Sequence, residues 1–354
     1  MRKIFLSIAV FVMALCATAQ TNQYFWYQGN LMMGNPIAQI DSVTFGNEDT
    51  DSILIYLPRT IIKEVHDTTY IIVHDTVCPN DIPEGALAGK FSVSAIKKVR
   101  FSKGNLQYNA ALGTHQCADG TTQQGTWRFS ENQYDTIGII QQNRSASYSG
   151  WIDAFAWGTS GWNSGAVLYR PWELSNRYSD FYVGGSPNNN LIGNYKNADW
   201  GVYNAISNGG NIPNAWRVLT SEEWNYLLNE RPNHSNLCAA AMVNEIPGKI
   251  ILPDNCILPT GIQFVGFSTN ASDNQYSLCE WSILEKFGAI FLPQTAGWSC
   301  PTGESVWQDL CGMYWSSTHG SNITALGIVT LTHELYTGRW RCDSGQVRLV
   351  QDAE

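Results

Sequence analysis

Hydrophobic and polar positions alternate in short runs along most of this chain, and the three-to-four spacing of amphipathic helices is confined to two places. IAQIDSVTF (37–45) and SILIYLP (52–58) carry the β-branched content of strands. VHDTTYIIVHDTV (65–77) repeats Val-His-Asp-Thr and alternates strongly, so it reads as extended chain whose His-Asp pairs form a solvated side; Pro79, Pro83 and Gly85 then mark a boundary. Beyond it, FSVSAIKKVRFS (91–102) predicts a strand pair and GTWRFS (125–130) a further strand. Residues 150–172, GWIDAFAWGTSGWNSGAVLYRPW, are dense in Trp and Gly and read as ordered loop. Thr220 with Glu223 and Ser277 with Glu280 each spell a capping box. The first opens a helix with Trp224, Leu227 and Leu228 on one face and Pro232 after its end. The second opens a helix with Trp281 and Leu284 inward, and Gly288 closes it. Strand-like runs follow at 288–294, 312–318, 325–337 and 346–351. Two main helices among antiparallel strands and long loops predict an α+β domain.

The N-terminus adds an address. Arg2 and Lys3 precede an apolar stretch (4–15), and Ala17-Thr18-Ala19 fits a small-x-small cleavage site, so residues 1–19 read as a signal peptide. Leu15 is too large for the position before a lipidated Cys16, and no later stretch approaches the twenty apolar residues of a membrane span. The expected organisation is a signal peptide (1–19), a small β segment (20–60), an extended stalk (61–88) and one domain (89–354).

Composition then narrows the partners. The formal net charge is −9, or −11 once Arg2 and Lys3 are removed, which disfavours nucleic acid. Charged residues make up only 14%, against roughly 25% in soluble domains, so amides, hydroxyls, Trp and Tyr must carry the polar work. Eight of the nine cysteines remain after Cys16, an even number in an exported chain, and the nearest pair, Cys300 and Cys311, is the expected disulfide. No Cys/His spacing suggests zinc, and no cofactor is expected.

Eight blocks in order identify a resemblance: FSVSAIKKVRFSKGNLQY, WRFSENQYD, GWIDAFAWGTSGWN, ADWGVYNAISNGGN, AWRVLTSEEWNYLL, GAIFLPQTAG, GMYWSST and GQVRLV. Together they resemble the Fibrobacter succinogenes major paralogous domain over about 91–350, a family of exported, often surface-located bacterial proteins. The resemblance implies a C-type-lectin-like fold, shared with formylglycine-generating enzymes, and a place at the cell surface, in the outer membrane or outside the cell. Residues 37–45 are similar to the N-terminal part of many secreted proteins of such bacteria. Ser42, Ser52, Thr68, Thr76 and Thr136 each follow Asp and precede an apolar residue or Thr, which resembles a bacterial O-glycosylation signal.

Ser316, Ser317 and Thr318 lack a Gly-x-Ser-x-Gly elbow, and neighbouring strand residues point to opposite faces, which separates them from His319. Arg231-Pro232-Asn233 and Leu252-Pro253-Asp254 both miss the first residue of the calcium-lectin tripeptides, so no metal is expected. An enzyme of the formylglycine-generating type would need a free thiol at Cys311 or Cys342. The remaining reading is metal-free recognition of a glycan or surface protein through C-terminal loops, with His319, Ser321, Asn322, His333, Glu334, Tyr336, Arg339, Trp340, Arg341 and Trp162 as candidate contacts. Trp315 reads as core and Trp340, between two arginines, as exposed. The same C-terminal positions are diversified by reverse transcription in some bacterial and phage proteins of this fold, and 319–341 occupies the corresponding place. The alternative is a structural surface or fimbrial component.

Overall fold

The computed structural model describes residues 22–27, 30–36, 82–138, 143, 145, 147–300, 312–330 and 335–353. The chain divides into two compact units, Met1–Thr76 and Val77–Glu354. In the first, β1 (Asn22–Tyr27) and β2 (Asn30–Pro36) form an antiparallel hairpin whose register shifts between Phe25 and Trp26. The strands expected at 37–45 and 52–58, and the extended run at 65–77, lie outside the described residues.

The second unit is α+β, with short helices and several small, mostly antiparallel sheets. β3 (Phe91–Ser92) and β4 (Lys98–Phe101) are the expected strand pair. β5 (Leu106–Gln116) and β6 (Thr122–Phe129) make a long hairpin. α1 (Trp200–Tyr203), α2 (Ser221–Asn225) and α3 (His234–Leu237) then lead to β7 (Cys238–Val243) and β8 (Ile246–Ile251). β9 (Gln275–Tyr276), α4 (Leu278–Lys286) and β10 (Ile290–Pro293) follow, and β10-β8-β7-β9 form one sheet. β11 (Met313–His319), β12 (Thr324–Val329) and β13 (Leu335–Trp340) form a second, and β14 (Val350–Ala353) joins β4 and β3.

Both capping boxes form, each with its reciprocal side-chain and backbone bonds. α2 is shorter than its apolar spacing suggests, because its second half widens into a π turn at Tyr226–Glu230. α4 closes on Gly288 at φ 87, with Gly288 N–H on Glu285 O and Ala289 N–H on Leu284 O, the paired bonds of a Schellman motif. A Cβ there would also stand 2.5 Å from Gly89 Cα.

Two strand expectations change. The apolar run at 325–337 is not one strand but contributes to two, β12 and β13, which are antiparallel neighbours. Residues 346–349 do not continue β14: Gln346 N–H bonds Met313 O, while Val347 O and Leu349 O accept Leu106 N–H and Ser102 N–H. That backbone threads between separate partners and reaches regular pairing only at Val350. The β7–β8 hairpin turns on Asn244 and Glu245, both at positive φ, the pattern of a type I′ two-residue hairpin.

Burial organises three large clusters. One holds Trp127, Trp157, Trp200, Trp216 and Trp315. A second holds Phe91, Phe101, Trp224, Leu227, Cys238 and Tyr314, and a third Trp281, Phe291 and Ile250. Residues 150–172 dock on β11 through indoles: Trp157 Nε1 donates to Ser316 O at 2.9 Å and Trp315 Nε1 to Phe155 O at 2.7 Å. Between clusters, buried Arg348 reaches Asn105 Oδ1 at 3.3 Å and also Gln133 Oε1, and burial lowers its pKa to about 10.

Thr220→Ala removes one half of a capping box and is expected to cost about 1 kcal/mol in urea unfolding. Asp199, buried at the N-cap of α1, accepts Gly201 N–H at 2.9 Å and Val218 N–H at 2.8 Å, yet burial pushes its pKa up to about 6. A pKa raised on folding contributes stability that is full below about pH 4 and lost as pH rises through 6. Asp199→Asn carries a fixed cost, because its NH2 meets one of those N–H groups. Its deficit against the parent should therefore narrow by about 1 kcal/mol between pH 5 and 7.5 in denaturation series.

Candidate functional surface

β11 carries the chain from the core to a turn. Met313–Ser317 are buried, whereas Thr318 and His319 emerge and Ser321 and Asn322 are exposed. The turn is tight: Gly320 N–H bonds Thr324 O at 3.0 Å and Ser321 N–H bonds Thr324 Oγ1 at 2.8 Å. Ser316 Oγ donates to Leu326 O at 2.8 Å, so this hydroxyl serves the sheet.

A second loop, 183–194, lies beside this turn. Leu191 N–H bonds Ser317 O at 2.8 Å, and Asn190 Oδ1 accepts both His319 N–H at 2.8 Å and His319 Nδ1–H at 2.6 Å. That pairing puts the imidazole proton on Nδ1 and leaves Nε2 as an acceptor. Burial first, and the nearby Arg341 charge second, lower the His319 pKa and favour this neutral ring. Gly184, Gly185, Asn188, Gly193 and Asn194 are exposed, and Ile192 is half exposed. Ser164 O accepts Gly184 N–H, which brings the loop of half-buried Trp162 to the same border.

Arg341 underlies both loops. Its side chain is fully buried, with its guanidinium 4.6 Å from the Trp157 ring centroid and 5.5 Å from that of Tyr182. Nη2 donates to Pro187 O and, at 3.4 Å, to Ser321 O, so one cation bridges the two loops from beneath. Burial lowers its pKa to about 10. Arg341 was expected as a direct contact, but its place is a support under the surface. Arg339 is also buried, with Nη1 3.9 Å from Asp343 Oδ2, and Trp340 is half-buried against the Trp298 cluster. Tyr336 lies on β13 opposite Gly327, while His333 and Glu334 lie outside the described residues.

A cavity of about 10 Å³ sits nearby, lined by Met313, Arg339, Asp343, Ser344 and Gln346 among others. It has room for a water rather than a sugar ring. Burial pushes the Asp343 carboxyl up to about 6, opposed by the Cys300 N–H and by Arg339.

The expected Cys300–Cys311 disulfide is corrected. Cys300 bonds Cys342, with Cα atoms 5.3 Å apart, and Cys311 lies outside the described residues. Chain proximity suggested the short loop, but residues 298–300 run beside 342–344: Ser344 N–H bonds Trp298 O and Cys300 N–H bonds Asp343 Oδ1. Cys342 is consequently not a thiol in this structure. Of the glycosylation candidates, Thr136 is exposed, and Ser42, Ser52, Thr68 and Thr76 lie outside the described residues. The two incomplete calcium-lectin tripeptides meet each other instead, through Arg231 Nη1 and Asp254 Oδ1 at 3.2 Å.

Sequence reasoning missed the 183–194 loop and Asn190 in particular. The available signal was the Ser-Pro-Asn-Asn-Asn run at 186–190, a turn composition with three amides.

Cys342→Ser should lower stability by about 2–4 kcal/mol in non-reducing denaturant titrations, and a reductant should bring the parent close to the variant.

Compared with protein-family models, with curated proteins and with solved structures, the chain finds no match in any of the three.

Proposed function

We propose that this is an exported surface protein whose C-type-lectin-like domain recognises a glycan or a surface protein without catalysis. The reading rests on the face built by the 183–194 loop and the 319–323 turn, clamped together by Arg341 and Asn190. Its exposed members Asn188, Asn194, Ser321 and Asn322 are uncharged and offer amide and hydroxyl groups, and His319 Nε2 adds an acceptor. Such groups exchange hydrogen bonds with sugar hydroxyls or peptide groups, and partly exposed Tyr178, Tyr182 and Trp340 supply aromatic faces for stacking. A clamped surface loses little conformational freedom on binding, which favours affinity. The resemblance to the major paralogous domain supports export and surface display. Diversification within 319–341, as in some proteins of this fold, would alter contacts on the turn, provided Arg341 itself is kept to hold the two loops together.

The test is a glycan and surface-protein binding screen of the mature chain, run with calcium and with chelator. Chelator-resistant binding is expected, weakened at least tenfold in an Asn188→Ala, Asn322→Ala variant that melts like the parent. A folded protein that binds nothing, or whose binding ignores both substitutions, overturns this reading and favours a structural surface component.

A further inference from the structure

The sheet β10-β8-β7-β9 holds a residue that its surroundings do not explain. Lys249, on the central strand β8, is completely buried, and its Nζ has no hydrogen-bond partner among the described residues. The register places Ala240 of β7 and Leu292 of β10 opposite Lys249, and Cys238 and Ile290 opposite Ile251. Opposed residues of antiparallel pairs point to one side, so Lys249 and Cys238 share a face. That face meets the apolar cluster of Phe91, Leu227, Ile251 and Leu292, of which Cys238 is a member.

Burial disfavours an unpaired ammonium in such a place, and a lowered pKa relieves part of that penalty. Burial lowers the Lys249 pKa to about 8, and Cys238 is the ionisable group that acts on it electrostatically. The two stand diagonally across the β7–β8 pair, a spacing of roughly 7–8 Å that a lysine stem spans. Small Ala240 opposite Lys249 leaves the stem room. Arg231 Nη2 also lies 3.5 Å from Cys238 Sγ. An amine without a hydrogen-bond partner and a thiol, enclosed on one face of the sheet, are the two halves of a condensation.

We propose that Cys238 and Lys249 form an oxidation-dependent covalent cross-link, a sulfenamide joining Sγ to Nζ between β7 and β8. Hydrogen peroxide supplies the oxidant. The Cys238 sulfur attacks it, the O–O bond breaks, one oxygen stays on sulfur as a sulfenic acid, and the other leaves as hydroxide, which takes the thiol proton and becomes water. The Lys249 lone pair then attacks the sulfenyl sulfur, the S–O bond breaks, and the departing hydroxide takes an amine proton as a second water. Sulfur loses two electrons and peroxide gains two. One thiol, one amine and one peroxide thus give one S–N bond and two waters, and an external thiol reverses the link by attack at sulfur. The product also replaces a buried ammonium with a neutral group.

The experiment treats the full folded chain with peroxide, digests it without reductant and analyses the peptides by mass spectrometry. The expected product joins the peptides of Cys238 and Lys249 at their summed mass less two hydrogens, and dithiothreitol separates them. Lys249→Met keeps the apolar stem and removes the charge, so it should fold, and its yield of that product should fall at least tenfold. Recovery of Lys249 unlinked from the treated parent overturns the proposal, whether Cys238 is then an intact thiol or a sulfinic acid. The parent measurement decides this even if a variant fails to fold.

Discussion

The C-terminal half of the fold hangs on an exchange of indole hydrogen bonds. Trp157 reaches the carbonyl of Ser316 on β11, and Trp315 of β11 reaches back to the carbonyl of Phe155. Residues 150–172 have no regular ladder to satisfy their backbone, and a buried carbonyl without a partner costs as much as a lost hydrogen bond. The two tryptophans remove that cost while filling the core. They also explain why β11 leaves the interior where it does, with Ser317 enclosed and His319 half exposed.

The same economy recurs wherever charge is scarce. Gln133 joins Phe291 N–H, Ala289 O, Glu285 and Arg348, so one amide ties the loop after β6 to α4, β10 and the C-terminal run. Asn204 Oδ1 meets His115 Nε2 at 2.8 Å while its NH2 donates to Ser160 O and Trp200 O. Amides donate and accept without the desolvation cost of ions, which suits a large interior held by irregular segments. Arg341 is the instructive exception: a buried cation resting on rings and carbonyls, whose position fixes two surface loops at once.

Local signals were legible in the sequence. Both capping boxes and the Gly288 stop depend on residues three or four apart, and they formed as read. The β7–β8 hairpin was missed because CAAAMV carries neither helical spacing nor strand alternation, and its strand character comes from neighbours on both sides. The run at 325–337 looked continuous because no Gly or Pro falls between Val329 and Leu335 to separate the two strands.

By itself, the sequence determined the low charge, the α+β class, the two capped helix starts and the aromatic demand for a large core, because each follows from composition or from spacing within one element. Tertiary structure alone decided that Cys300 meets Cys342 rather than its nearer neighbour, since pairing follows which strand ends run side by side. It likewise decided that Arg341 lies under the candidate face instead of on it. Strand periodicity says which side a residue takes, but not whether that side is later covered by a loop from 150 residues away. The asparagines at 188–190 became part of a surface for the same reason: only the folded chain places them beside His319.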